Sequence, residues 1–480
     1  LLAVECEATV DAGAYSAYPF SACLEAAQVA SILPGPYDFP GYRCRTWSSA
    51  TNKPPILPYR GVARTGVCFA LEVLLDDLAR ALDIEPHVFR QRNLPAPGRM
   101  PFENVTMKHF DSGDYPECLQ RAVAAIDVAA VRVRQAGGEA DGKRIGVGIS
   151  IFCEQAAHGT SVYSGWGIPM VPGFEQATLR LTPDGGAEVR VGVHSHGQSL
   201  ETTLAQIVHE MLGIDVEAVK VVHGDTATTP YSTGTWGSRC AVMAGGAVAA
   251  ACDTLADRLK AIGSHLLQTD IDSVYLADGA VKGDGGTVPI RDICLAWYRR
   301  PQDLPAGVAP EGLEATQGYK PVRDTGTFSY ACHACVVAVD IETGEVEIQD
   351  YVIVEDGGVL INPMVVDGQV YGGTAQGIGT ALYEEMPYDE NGQPLAGTLA
   401  EYLLPSAAEM PFVSIDHMET PSPYTRFGQK GIGEGGAIGP PAAIANAVND
   451  ALKDLGVFVD RLPVTPARLV DALRSADASR

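Results

Sequence analysis

Between Phe427 and Leu452 the chain reads FGQKGIGEGGAIGPPAAIANAVNDAL, and Gly431, Gly433 and Gly436 have G-x-G-x-x-G spacing. That spacing marks a phosphate-cradling turn only where a strand runs straight into the first glycine and a helix leaves straight after the last. Upstream, the strand pattern FVSIDHM stops near Met418, and the proline-bearing ETPSPYTRFGQK intervenes. Glu434 stands at the centre of the loop, where a carboxylate would repel a phosphate. Both facts weigh against a doubly wound nucleotide-binding sheet, and a nicotinamide-dependent dehydrogenase is left as a rival reading. Three roles remain open for Glu434: an exposed loop acid, a partner of Lys430, or a general base whose flanking glycines let a ligand reach it.

The rest of the chain mixes helices with antiparallel hairpins, which predicts an α+β fold. Val67, Leu71, Leu74, Leu75, Leu78 and Leu82 share a helical face that Pro86 should close. The opening LLAVECEATVDAGAYS reads as a strand, and 95–145 as a junction rich in Pro, Gly and charge. Leu179 and Leu181 alternate into Pro183-Asp184-Gly185-Gly186, and Val189, Val191 and Val193 alternate back. Val337, Val339 and Ile341 do the same around Glu342-Thr343-Gly344. Further helices begin beside small-residue loops: after Ser199, a good N-cap; after Gly237-Ser238-Arg239; around Gln376; and near Pro441. Helix starts of this kind offer free N–H groups to an anion, and several together suggest one large phosphorylated ligand gripped from several sides.

Charge and cysteine use narrow the classes. A net charge of −25 without a Lys/Arg run argues against a nucleic-acid or anionic-membrane partner. Eleven scattered cysteines are not a disulfide framework, and the lone C-x-x-C, Cys332 to Cys335, has no second pair for a metal. No metal ligands are therefore assigned; His194 and His196 lack a third partner. A reducing, cytoplasmic setting follows. With no basic n-region, no uncharged apolar stretch of membrane-spanning length and a start in mid-domain, the chain is expected to be a piece of something longer.

Taken together, YRG (59–61) with LEVLLDDLA and RQRNL, HGQSLETTLAQI (196–207), GDT (224–226), GTWGSRC (234–240), VEDGGVLINPMVVDGQVYGGTAQGIG (354–379) and GQKGIGEGGAIGPPAAIANAV (428–448) resemble the molybdenum hydroxylases. That is the xanthine dehydrogenase and aldehyde oxidase family, and the motifs run in family order to about residue 470. The resemblance implies the C-terminal portion of a molybdopterin-binding large subunit. Residues 1–125 would be the remainder of a first cofactor-binding domain, and 126–480 a second that carries the catalytic acid. Glu434 matches the family's catalytic base. Arg60, Gly197, Gln198, Gly237, Ser238, Arg239, Cys240, Gln376 and Gly433 match cofactor-binding positions. The implied cofactor is molybdopterin with molybdenum, in its cytosine dinucleotide form. Fe–S and FAD subunits would be partners, and an aldehyde or N-heteroaromatic compound the substrate. A non-catalytic structural half is the alternative. Three departures stand out. The family's earlier Gly/Phe-rich loop has no counterpart here, so another chain or segment must supply it. Gly61 replaces the cysteine of carbon monoxide dehydrogenases. Val62 replaces the phenylalanine of xanthine-type members.

Overall fold

The computed structural model describes residues 1–139 and 141–478. Strand β1 (Ala3–Gly13) and strand β2 (Gly41–Ala50) pair in parallel, joined through helix α1 (Leu24–Ile32). Helix α2 (Ala63–Ala81) buries Val67, Leu71 and Leu75 of the predicted face; Leu78 is partly buried, and Leu74 and Leu82 are exposed. Pro86 does not close it. The helix caps at Leu82, and Pro86 opens the next short helix, Pro86–Gln91, where its missing N–H costs nothing. The stretch read as a junction holds helices α3 (Tyr115–Ile126) and α4 (Val128–Gly137), with Asp114 and Asp127 as their N-caps. Their apolar faces lie in the same core as Ile149 and Ile151 of strand β3 (Arg144–Ala156). Exposed apolar residues between the buried ones hid that core from the sequence.

The middle of the chain builds a second core. Strands β4 (Glu175–Leu181) and β5 (Ala187–Val191) form the expected hairpin, with Gly185 at φ +90° in the turn. Helix α5 (Leu200–Leu212) leads into strand β6 (Val219–Val222), parallel to β5. Ser199 is at the N-cap position but does not cap with its side chain. Its backbone is left-handed, at φ 56°, and its carbonyl accepts from Thr202 and Thr203. A π-turn, Cys240–Ala244, runs into helix α6 (Gly245–Leu267), and strand β7 (Glu314–Tyr319) closes the order β7-β4-β5-β6. Cys240–Leu267 is long and apolar enough to cross a bilayer, but 61% of its most apolar window is buried inside the second core.

The last part supplies strands β8 (Thr327–Val339) and β9 (Val346–Asp356), helix α7 (Pro363–Leu382), strand β10 (Val413–Met418) and helix α8 (Pro440–Leu452). The sheet order is β10-β9-β8-β3, and every residue of β8 is buried. Strand residues alternate faces, so Cys332 joins the first core and Cys335 the third; the C-x-x-C is not a pair. Helix α8 lies tight against β3 because Gly146 and Gly148 leave the strand bare. A Cβ on either would fall 1.9 Å from the carbonyl oxygen of Ala447 or Ala443. That contact seats the helix, and with it the Gly-rich loop that precedes it.

Candidate functional site

Loops from all three parts of the chain converge on one cleft of about 530 Å³. Its wall includes the turn before α2, the loops ahead of α5 and of the π-turn, the face of α7 carrying Gln369 and Gln376, and residues Gln429–Glu434. Of the residues singled out in the sequence, Arg60, Gln198, Gly237, Ser238, Arg239, Cys240, Gln376, Gly433 and Glu434 line it. Gly197, at φ +105°, adjoins Gln198, and a Cβ added there would meet open space.

Arg60 fastens the Gly-rich loop to α7. Its Nε donates to the Gly433 carbonyl oxygen (2.5 Å), Nη1 to Gln376 Oε1 (3.2 Å), and Nη2 to the Gln369 carbonyl oxygen (3.0 Å). Burial lowers its pKa, and the Glu154 and Glu434 charges oppose that shift.

Glu434 is 9% exposed and begins a single 3-10 turn, Gly435–Ala437, that leads to α8. Oε1 accepts from the Gly61 N–H and Oε2 from Ser238 Oγ, each at 3.2 Å, while Arg64 Nη1 stands 3.8 Å from Oε2. The backbone bends to allow this: Gly61 is at φ +96°, and Val62 and Ser238 are both at φ 50°. Lys430 is not the partner of Glu434. Its Nζ pairs with Asp356 at 3.0 Å, with both side chains fully buried.

Three buried side chains complete the site without having drawn notice in the sequence. Arg64 donates to the Gln155 carbonyl oxygen (2.6 Å) and to His158 Nε2 (3.1 Å), whose Nδ1 faces Tyr163 Oη at 2.8 Å. Burial and the Arg64 charge hold His158 neutral. Glu154, on β3, has no exposed surface and shares Ser238 Oγ with Glu434. Burial, then the neighbouring Glu434 charge, push it up to about 8. An acid inside the apolar run GVGISIFCE is the one signal that could have exposed it.

The remaining site residues hold the loops. Arg239 ion-pairs with Glu175 at 2.8 Å, both 1% exposed, and lies over the Trp236 ring at 4.8 Å. Cys240 is buried, its thiol pushed up by desolvation, with Sγ 3.5 Å from Thr235 Oγ1. His194 and His196 meet through their Nε2 atoms at 3.0 Å. Among the described residues, no group of three or more His, Cys, Asp or Glu side chains could hold a metal ion.

Fold and cleft together define an α+β chain with a polar-lined cleft in which the nearly buried acid Glu434 stands beside the buried Glu154. Residues 1–94 and 121–411 each match the molybdopterin cofactor-binding domain. The nicotine 6-hydroxylase large subunit of Paenarthrobacter nicotinovorans is 36% identical over 475 residues, 98% of this chain and 58% of that protein. The carbon monoxide dehydrogenase large chain of Hydrogenophaga pseudoflava is 34% identical, over 92% of this chain and 55% of that one. Quinoline 2-oxidoreductase from Pseudomonas putida 86 superposes with a TM-score of 0.92 at 35% identity, over 98% of this chain and 60% of that one. The chain belongs to the molybdopterin cofactor-binding domain family, among the large subunits of the molybdenum hydroxylases. It spans 58% and 55% of the two curated relatives named.

The cleft suits such a cofactor chemically. Carboxamides of Gln198, Gln369, Gln376 and Gln429 line it, and these both donate to and accept from a heterocycle. The Nε of Arg239 is buried without a partner. Gly433 leaves the loop bare, and the nearest atoms a Cβ there would meet, in Ser238 and Gln369, lie at 3.5–3.9 Å.

Proposed function

We propose that this chain is the molybdopterin-binding, base-carrying part of a molybdenum hydroxylase that oxidises an N-heteroaromatic compound or an aldehyde with water as the oxygen source. The observation that carries the reading is Glu434: a nearly buried acid in the cleft, fixed at Oε1 by Gly61 and at Oε2 by Ser238. When bound, the molybdenum-bearing pterin supplies the two-electron redox centre. Gln198, Gln369 and Gln376 would hold the heterocycle, and the backbone N–H groups of 197–199 and 237–240 the anionic part. Glu434 accepts a proton at a carboxylate oxygen, Arg60 keeps the loop in register, and the cleft walls exclude bulk water. Phe20, Trp236 and Val62 on the wall suit a flat apolar substrate, and the nicotine and quinoline after which two of the relatives are named are N-heteroaromatic compounds.

The same reading assigns a division near residue 125, a cytosine dinucleotide cofactor and a cytoplasmic, heteromeric complex. Fe–S and FAD subunits, and the remaining N-terminal part of the large subunit, would be its partners. The reading includes no nucleic-acid partner and no membrane insertion.

The test is Glu434→Gln in the assembled complex, with quinoline and nicotine as reductants. Reduction of molybdenum should slow by about 10²–10⁴-fold with cofactor content unchanged. Reduction at the original rate would end the assignment.

A further inference from the structure

Ser238 Oγ touches Glu154 Oε1 and Glu434 Oε2, yet a serine hydroxyl carries a single proton. It can donate to only one of them, so the other contact holds as a hydrogen bond only if that carboxyl is the donor. Surroundings decide which. Glu434 has the Gly61 N–H and a guanidinium 3.8 Å away to favour a charge. Glu154 has no exposed surface; its second oxygen has Ser329 Oγ at 3.4 Å, and its carboxyl also lies within hydrogen-bond reach of the Glu434 carboxyl, which favours a proton on Glu154. The Ser329 hydroxyl is already committed to the Gly431 carbonyl oxygen at 2.7 Å. We propose that Glu154 is a positioning residue for Glu434: it stays a neutral acid and donates to Ser238, which thereby donates to Glu434 and holds it as an ionised base. The proposal rests on the reading of Glu434 as the base.

The direction of the chain is Glu154 to Ser238 Oγ to Glu434 Oε2, and no bond other than O–H···O is involved. The titratable and charged groups facing Glu154 are Glu434 from the Gly-rich loop, Arg64 from α2, Arg60 from the preceding turn, and Glu355 from β9. Glu355 is itself buried, with both carboxyl oxygens unpartnered, and burial holds it protonated, so it adds no local negative charge. The sign follows from a raised acid: Glu154 is neutral below about pH 8, and the arrangement is lost as pH rises through that value.

The experiment is an infrared titration of the assembled holoenzyme from about pH 6 to pH 9, bracketing the Glu154 midpoint, with the rate of molybdenum reduction by quinoline measured alongside. Wild type should lose one protonated-carboxyl C=O band near pH 8, and Glu154→Gln should lack that band throughout. Above that pH the wild-type rate should fall, up to about tenfold per pH unit. In Glu154→Gln, whose amide still donates to Ser238, the rate should stay level. Ser238→Ala should keep the band but lose the alkaline fall, and it decides the matter if Glu154→Gln does not assemble. A band that survives in Glu154→Gln, or an alkaline fall unchanged in either variant, overturns the proposal. Glu434→Gln separates the two readings. A wild-type rate there refutes the base, whereas a downward move of the band's midpoint shows that Glu154 still senses residue 434.

Discussion

Arg60 and Gly433, 373 residues apart in the chain, are joined by a 2.5 Å hydrogen bond from the guanidinium Nε to the carbonyl oxygen one residue before Glu434. The same guanidinium reaches Gln376 and Gln369, so a single side chain sets the distance from the loop to α7.

Lysine cannot replace it, because one ammonium lacks the planar fork that spans these acceptors. Arg60→Lys should cut turnover by about 10²-fold, the cost of a misplacement on the order of 1 Å. Melting temperature should barely change. Paired kinetics and thermal unfolding check both halves of the statement.

Gly148 sits under helix α8 with no room for a methyl group. Gly148→Ala forces helix and strand apart and should cost about 1–3 kcal/mol or more. Calorimetry would read this as a drop in melting temperature of several degrees. An unchanged melting temperature would mean that the helix does not lie on the strand this closely.

Lys430 and Asp356 form an ion pair with no exposed side-chain surface. Lys430→Met strands a buried carboxylate and should destabilise by about 3–5 kcal/mol. Adding Asp356→Asn should restore much of the loss. Denaturant unfolding of the two single variants and the double variant measures the coupling directly.

His333, fully buried on β8, has its pKa pushed down to about 3 by desolvation. Its folded value lies below its unfolded one, so the unfolded chain binds one more proton between about pH 3 and 6.5. Stability is therefore complete above about pH 6.5 and falls by about 1.4 kcal/mol per unit as pH drops through that window. His333→Asn should flatten this limb in an acid titration of stability, even if it lowers the plateau.

Local chemistry was readable in the sequence where neighbours in the chain carry the signal. The hairpin turns, the α2 periodicity, the proline-started α8 and the glycine-flanked Glu434 all belong to that class. What escaped depends on residues brought together from afar. Lys430 seemed a candidate for Glu434 because it is close in sequence, but it turns to Asp356 on β9. Glu154 and Arg64 gain meaning only when β3, α2 and the Gly-rich loop meet around Ser238. The helices at 115–137 expose apolar residues such as Ala124, Ala125, Ala129, Ala130 and Val133, so their buried stripes do not stand out from the rest before the first core is assembled.

The bond from Arg60 to the loop also fixes an order of events. Arg60 precedes the carbonyl it must find by 373 residues, with Ser238 in between. No partial product of translation can therefore hold the acid in place. The anchored acid exists only once the segment through Glu434 has been made and has folded back onto Arg60 and Ser238.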